Sequence, residues 1–231
     1  MNQHLKRIPQ ELRNEIDIQA MRNSLSSPTG DSEFDRIGCR IIRNICDPEL
    51  LICPVPELKG QFSYYGDYHK FSHIPVEQQV PGSCARYNYP FFKEAHAVVR
   101  KNIEKSIGTQ LYQTYYYDRF YSPGQDLKYH IDRDACEISC TIHISTNLKD
   151  KYPILIKTMT GEVISANLKS GDGLLYKGCQ MPHWREKMPG VKRNFIRKIL
   201  GMKELYYSQI FMHYVLANGT RSHWAGDKGT K

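Results

Sequence analysis

The chain has 231 residues, of which 40% are hydrophobic and 11% aromatic, so it can build one sizeable core and its composition excludes global disorder. Its net charge of +8 permits an anionic partner such as nucleic acid but is also met in ordinary enzymes. The seven cysteines form no Cys-x-x-Cys pair and the first residues are charged, so free thiols in a reducing cytoplasm are expected. No apolar run approaches the length of a membrane span, and no membrane partner is expected.

The N-terminal 108 residues are predicted to form helices and loops that pack on the rest of the chain. Residues 4–25 carry apolar side chains at helical spacing, which predicts an amphipathic helix. Residues 24–34 are rich in turn formers and predict a loop, and residues 64–89 have no clear period and predict a long structured loop. From Pro90 apolar residues recur at helical spacing up to Gly108, which predicts a helix that ends there.

The pattern changes after Gly108, where short alternating segments are separated by turn residues. Examples are "CEISCTIHIS" (136–145) and "YYSQIFMHYV" (206–215). Such alternation is typical of an antiparallel barrel or jelly roll. We therefore expect a mainly β protein with a helical N-terminal extension, in which residues 109–219 form a barrel-like core. Residues 220–231 are predicted to be a flexible tail.

A candidate metal site begins in "YSPGQDLKYHIDRD", where His130 and Asp132 lie two residues apart. Side chains two apart on a strand point the same way, so both can reach one ion. A third ligand must come from a distant strand, and "GDGLLYKGCQMPHWRE" supplies a tight turn, an apolar strand and then His183. Two histidines and one carboxylate on one face leave three positions open, as in non-haem Fe(II) oxygenases. The alternatives are a strand-end ion pair for His130 and Asp132, and a loop histidine for His183.

The segment Tyr115–Gly219 resembles the 2-oxoglutarate/Fe(II)-dependent dioxygenases, and within them a prolyl-hydroxylase-like group of bacterial and phage proteins. The matching pieces are "TYYYDRFYSPGQDLKYHIDRDACEIS", "LKSGDGLLYKGCQMPHWRE" and "SQIFMHYVLANG". The resemblance implies a double-stranded β-helix, which is a squashed jelly roll of the cupin type, for the catalytic core at 109–219. It also implies that His130, Asp132 and His183 hold Fe(II), with 2-oxoglutarate and O2 as co-substrates.

The resemblance further implies a buried cation for the far carboxylate of 2-oxoglutarate, because an unpaired buried charge is very costly. Such enzymes usually carry this cation on the strand that follows the last histidine. Here that strand is "YYSQIFMHYV", which contains no basic residue, so this chain departs from the family pattern. The first candidate is Arg185, because it lies two residues past His183 and faces the same way on a continuing strand.

Other candidates for the co-substrate pocket remain open. Arg193 or Arg197 of "VKRNFIRK" has the nominal spacing from the last histidine, and Arg119 or Lys157 offers a charge from another strand. Each of these side chains is equally explained as a solvated basic residue. Tyr121 lies where the family often has a tyrosine that donates a hydrogen bond to 2-oxoglutarate, and its alternative is a core aromatic.

Three functions are consistent with these observations. The first is an oxygenase that hydroxylates an unactivated C–H bond, with a peptide or protein substrate favoured by the prolyl-hydroxylase likeness. The second is a non-catalytic metal-binding or interaction module on the same barrel, which the missing basic residue keeps open. The third is a nucleic-acid-directed oxygenase, which the net charge and "VKRNFIRK" favour. On the last strand, Gln209 and His213 share one face and either line the pocket or pack in the core.

Overall fold

A computed structural model describes residues 26–54, 59–65 and 70–227 of the chain. The predicted amphipathic helix at 4–25 lies outside the described residues. Part of the predicted tail is described, and Ser222–Asp227 forms 3-10 turns there. None of the helices in the described ranges combines the length and the apolar character that crossing a bilayer requires.

The described residues form three α-helices and twelve β-strands. The helices are α1 (Ser32–Ile37), α2 (Lys93–Ile107) and α3 (Val191–Ile199). The strands are β1 (Cys39–Ile42), β2 (Gly60–Tyr65), β3 (Lys70–Ile74), β4 (Cys84–Tyr87), β5 (Leu111–Tyr121), β6 (Leu127–His130), β7 (Ile138–Thr146), β8 (Ile154–Lys157), β9 (Val163–Ala166), β10 (Gly173–Tyr176), β11 (His183–Arg185) and β12 (Tyr207–Leu216).

Two sheets face each other and enclose the interior of the barrel. The larger has the strand order β1-β10-β7-β12-β5-β4-β2-β3, and the smaller has the order β6-β11-β8-β9. All pairings are antiparallel except that of β2 with β4. The crossing of the chain between the two sheets is that of a double-stranded β-helix, so the predicted mainly β jelly-roll core is confirmed.

Successive side chains along a strand of the larger sheet point alternately to an outer apolar core and to the interior of the barrel. On β7, Ile138, Cys140, Ile142 and Ile144 belong to the large apolar cluster that also contains one face of α2. The residues between them, of which His143 is one, point to the other side of the sheet. The central strands β5 and β12 alternate in the same way from Tyr115 to Tyr121 and from Tyr207 to His213, so the odd-numbered residues of these two stretches line the interior.

The predicted helix after Pro90 is α2, which is preceded by a short 3-10 turn. Val99, Ile103 and Ile107 are fully buried against the large sheet, and each contributes about 1.5–3 kcal/mol by leaving water. The helix ends at Gly108, whose φ of 64° places it in the left-handed region, and this conformation favours glycine. The stop predicted from the sequence is confirmed.

The strands β3 and β4 lie within residues 64–89, for which a loop was predicted, and that prediction was wrong for these strands. In this region apolar and polar residues do not alternate along the sequence, because the short strands form by pairing with strands that are distant in the chain. β4 pairs with β5, and β2 runs parallel to β4. The N-terminal region therefore extends the large sheet and carries side chains to the mouth of the barrel.

Candidate metal centre and co-substrate pocket

The candidate ligands come from adjacent strands of the smaller sheet. β6 and β11 are antiparallel, and their register sets His130 directly opposite His183. Asp132 follows the end of β6, where its backbone N–H donates to the carbonyl of Gly178 at 2.9 Å. A Cβ atom at Gly178 would lie 2.6 Å from Asp132 Oδ2 and 2.3 Å from the Cys136 carbonyl oxygen, so this close approach requires glycine.

The three predicted ligands converge on one point. Asp132 Oδ1 lies 3.7 Å from His130 Nε2 and 3.6 Å from His183 Nε2. The imidazole centroids are 4.3 Å apart, and the three ligand atoms lie within 4.8 Å of one another. Two imidazoles and one carboxylate at this spacing fit a divalent first-row metal and leave the remaining coordination positions free.

Backbone carbonyls fix the protonation of both histidines. His130 Nδ1–H donates to the Lys128 carbonyl at 2.7 Å, and His183 Nδ1–H donates to the Met181 carbonyl at 3.0 Å. Each Nε2 atom therefore presents a lone pair toward Asp132, as a metal ligand must. Burial lowers the pKa of each histidine to about 4, so both rings are neutral near neutral pH.

The Asp132 carboxylate is oriented from behind by a pair of side chains. The Ser139 hydroxyl donates to Asp132 Oδ2 at 3.0 Å, and the Ser139 oxygen lies 2.9 Å from His213 Nδ1. A hydroxyl carries one proton, so His213 supplies the proton for the second contact through its Nδ1–H. This relay leaves Oδ1 to face the two Nε2 atoms. Burial raises the pKa of Asp132 to about 6.

A second group of candidate ligands, Asp132, Cys136 and His213, lies beside the first. Metal-binding cysteine is a thiolate, but burial raises the pKa of Cys136 well above its usual value. Its sulfur lies 3.1 Å from the Tyr115 hydroxyl, which satisfies it as a thiol. The second group therefore supports the first and does not form a site of its own.

Gln79 is a neighbour of the metal centre that sequence reasoning missed. Its Oε1 accepts from Arg119 Nη2 at 2.7 Å, which places its amide nitrogen 3.1 Å from His130 Nε2. Because an arginine can only donate, the amide orientation is determined, and the NH2 group donates to the lone pair that a metal would use. This side chain comes from the stretch without a sequence period, so no local signal pointed to it.

Arg185, the first candidate for the co-substrate pocket, is a buried cation. It lies on β11, is 2% exposed, and donates to the Tyr152 carbonyl and to Gln209 Oε1. The rings of Tyr152 and Tyr207 lie 4.8 and 4.7 Å from its guanidinium carbon. Its Nε has no hydrogen-bond partner in the described part of the chain, and no carboxylate there pairs with the guanidinium.

Three of the other candidate cations already have partners. Arg119, fully buried on β5, pairs with Glu77 at 3.1 Å. Arg193 lies on the exposed helix α3 and pairs with Asp150 at 2.5 Å, so the structure does not bring it to the metal centre. Arg197 donates to a backbone carbonyl on the same surface.

Tyr121 is fully buried between the two interior arginines. Its hydroxyl accepts from Arg119 Nη1 at 3.4 Å and lies 3.5 Å from Gln209 Nε2. Gln209 is in turn bonded to Arg185, so these side chains form one polar chain across the barrel. The structure therefore brings together the predicted Tyr121 and Arg185, and Gln209 of β12, the strand without a basic residue, contacts both.

Comparisons with known proteins support the fold. No protein-family model and no curated protein sequence matches the chain. A prolyl hydroxylase from Trichoplax adhaerens, solved with a hypoxia inducible factor peptide, shares 13% identity at a TM-score of 0.51, covering 89% of this chain and 92% of that one. HygX from Streptomyces hygroscopicus, with nickel and 2-oxoglutarate bound, shares 9% at 0.52, covering 80% and 85%. The non-heme alpha ketoglutarate dependent epimerase SnoN shares 7% at 0.51, covering 90% and 85%. At these identities the likeness establishes the shared fold.

Proposed function

We propose that the chain is a 2-oxoglutarate- and Fe(II)-dependent dioxygenase that hydroxylates an unactivated C–H bond. The observation that carries the proposal is the convergence of two imidazole lone pairs and one carboxylate within 4.8 Å. The buried guanidinium of Arg185, which has no carboxylate partner in the described residues, supports it. The fold shared with structures that contain nickel and 2-oxoglutarate supports it as well.

Each side chain has a defined task in this proposal. His130, Asp132 and His183 hold the metal through Nε2, Oδ1 and Nε2. Fe(II), 2-oxoglutarate and O2 supply the oxidising chemistry when bound. Arg185 binds the far carboxylate of 2-oxoglutarate through charge-assisted hydrogen bonds, and Tyr121 lines the same pocket.

The proposed substrate is a peptide or protein. The sequence resemblance to prolyl hydroxylases and the Trichoplax structure with a bound peptide support this class. HygX was also solved with hygromycin B bound, so small molecules are found in proteins of this fold. A substrate screen therefore includes proline-containing peptides and small hydroxylated compounds, and succinate release coupled to one of them identifies the class.

The first experiment is an anaerobic titration of the purified protein with Fe(II) and 2-oxoglutarate, followed by the visible charge-transfer absorption of the chelate. We expect absorption in the wild type and none in His183→Ala. His223→Ala is the matched control, because His223 is exposed and its ring contacts only a backbone carbonyl and Trp224 in the described residues.

The outcomes separate the candidate functions. Absorption that requires His183 but not His223 supports both the metal ligands and the co-substrate. Metal binding without the absorption contradicts a 2-oxoglutarate enzyme and favours a non-catalytic metal-binding module on the same barrel. Retention of the absorption in His183→Ala contradicts the ligand assignment.

A further inference from the structure

The surface helix α3 and the turn after it expose an apolar face. Six large apolar side chains in this segment are each between 49% and 69% exposed, namely Val191, Phe195, Ile196, Ile199, Leu200 and Met202. None of the residues of α3 is buried. An exposed apolar surface of this kind on a soluble domain marks an interaction site.

The polar side of α3, and not its apolar side, makes hydrogen bonds to residues 203–205, the segment that follows the helix. Asn194 donates to Glu204 at 3.1 Å and accepts from the Leu205 N–H at 2.6 Å. Arg197 donates to the Lys203 carbonyl at 2.6 Å. The helix is therefore inverted relative to an ordinary surface helix, whose apolar side faces the core.

The exposed apolar side forms one continuous stripe. At about 3.6 residues per turn, Val191, Phe195 and Ile199 follow one another along the helix, and Ile196 and Leu200 form the neighbouring row. Such a stripe allows the helix to lie flat on an apolar layer with its axis parallel to that layer.

Basic residues border the stripe on both sides, and the helix contains no acidic residue. By helical position Arg193 lies at one border, Lys198 lies at the other, and Lys192 lies within the stripe. Arg193 pairs with Asp150 and Lys198 with Glu204, both near the surface. Long basic side chains can keep their charge at the edge of an apolar layer while their stems lie along it.

We propose that α3 docks this protein on an anionic lipid surface, with the apolar stripe among the acyl chains and the bordering cations at the headgroups. A second copy of the chain is a poorer occupant, because two such helices would bring cations together at both borders. Nucleic acid is also poorer, because the exposed face is apolar and not a phosphate-binding surface. The absence of a membrane-spanning helix among the described residues concerns crossing a bilayer and not lying on it.

The docking surface is independent of the proposed oxygenase function, although α3 lies between two strands that line the proposed co-substrate pocket. The helix joins β11, which carries His183 and Arg185, to β12, which carries Gln209. Docking would hold the barrel at the membrane through the connection between these two strands.

The test uses flotation of the full-length protein with vesicles of phosphatidylglycerol and phosphatidylcholine, and with vesicles of phosphatidylcholine alone. The wild type should float only with the anionic vesicles, and less at high salt, because each basic residue near such a surface contributes about a fivefold gain in binding. The double variant Phe195→Ser/Ile199→Ser should lose about tenfold or more of its affinity through the lost apolar contact. Val163→Ser is the matched control, since Val163 is 56% exposed on β9.

A charge variant, Lys192→Gln/Lys198→Gln, should weaken binding to anionic vesicles and reduce its salt dependence. Circular dichroism checks that the variants fold, which their exposed positions favour. No flotation of the wild type, or equal flotation of Phe195→Ser/Ile199→Ser, overturns the proposal. A wild-type dimer without lipid that this double variant converts to a monomer also overturns it, and identifies a second copy as the occupant.

Discussion

Replacing Arg185 by Gln should separate co-substrate binding from folding. In the wild type the guanidinium is buried without a carboxylate partner in the described residues. Under the proposed function, a bound dicarboxylate would supply the missing negative charge. Truncating one partner of a buried, hydrogen-bonded charge pair costs about 2–5 kcal/mol. The affinity for 2-oxoglutarate should therefore fall by about 30- to 5,000-fold, whereas the metal ligands, and with them the metal affinity, are unchanged.

The stability of the unloaded protein should respond quite differently. Losing the bonds to the Tyr152 carbonyl and Gln209 costs about 1.5–3 kcal/mol each. Removing a buried, unpaired guanidinium recovers several kcal/mol of desolvation energy. Because the two effects oppose each other and are of similar size, the free energy of unfolding should change by no more than about 2 kcal/mol.

Thermal unfolding with Ni²⁺, which binds without turnover, measures both the stability of the protein and its binding of 2-oxoglutarate in one assay. At a concentration of 100 times its Kd, 2-oxoglutarate stabilises the wild type by about 2.7 kcal/mol, which raises Tm by about 5–10 °C. Arg185→Gln should show the metal-induced rise and no further rise with 2-oxoglutarate. Arg193→Gln, on the exposed helix, should behave as the wild type. The reasoning is refuted if Arg185→Gln keeps the second rise or if Arg193→Gln loses it.

Three further changes test the surroundings of the metal centre. Ser139→Ala should lower Ni²⁺ affinity about tenfold or more, by calorimetry, because Asp132 loses its orienting donor; unchanged affinity would contradict the relay. Gln79→Ala should raise the affinity about two- to tenfold, because the metal no longer displaces a donor from His130; weaker binding would show that Gln79 supports the ion. Burial lowers the pKa of His96 from 6.5 to about 3. Between these two pH values the His96 imidazole is protonated only in the unfolded chain, so the free energy of unfolding decreases as the pH is lowered. Denaturant unfolding at about pH 7 and about pH 5 measures this decrease. The free energy of unfolding of His96→Gln should decrease by about 2 kcal/mol less than that of the wild type; equal decreases would contradict this.

The convergence of His130, Asp132 and His183 could be predicted from the sequence because strand geometry is local. His130 and Asp132 are two residues apart, so a single period of two placed both on one face. After the turn and apolar strand at 171–176, His183 begins β11, the strand that pairs with β6. The same period placed Arg185 beside His183, and the structure brings it into the barrel despite a shift in register between β11 and β6.

Long-range contacts could not be predicted in this way. Gln79 meets His130 across 51 residues, and Glu77 meets Arg119 across 42. No period or spacing links such residues, because only the pairing of β4 with β5 brings their segments together. The orientation of α3 was also not predictable. The sequence shows its basic residues, but not that Asn194, which donates to Glu204 and accepts from the Leu205 N–H, holds the polar side inward.

The charges inside the barrel define the ligand that fits it. Glu77 neutralises Arg119, and the two histidines of the candidate metal centre are neutral. A divalent ion, the Asp132 carboxylate and the Arg185 guanidinium together carry a net charge of about +2. A dicarboxylate cancels this charge, whereas a 2-oxo monoacid such as 2-oxobutyrate cancels only part of it. Since an uncompensated buried charge costs about 2–5 kcal/mol, the Ni²⁺-loaded wild type should bind 2-oxoglutarate about 30- to 5,000-fold more tightly than 2-oxobutyrate. In Arg185→Gln this preference should vanish, which calorimetry with the two ligands measures. A preference that survives the substitution would place the second positive charge elsewhere in the chain.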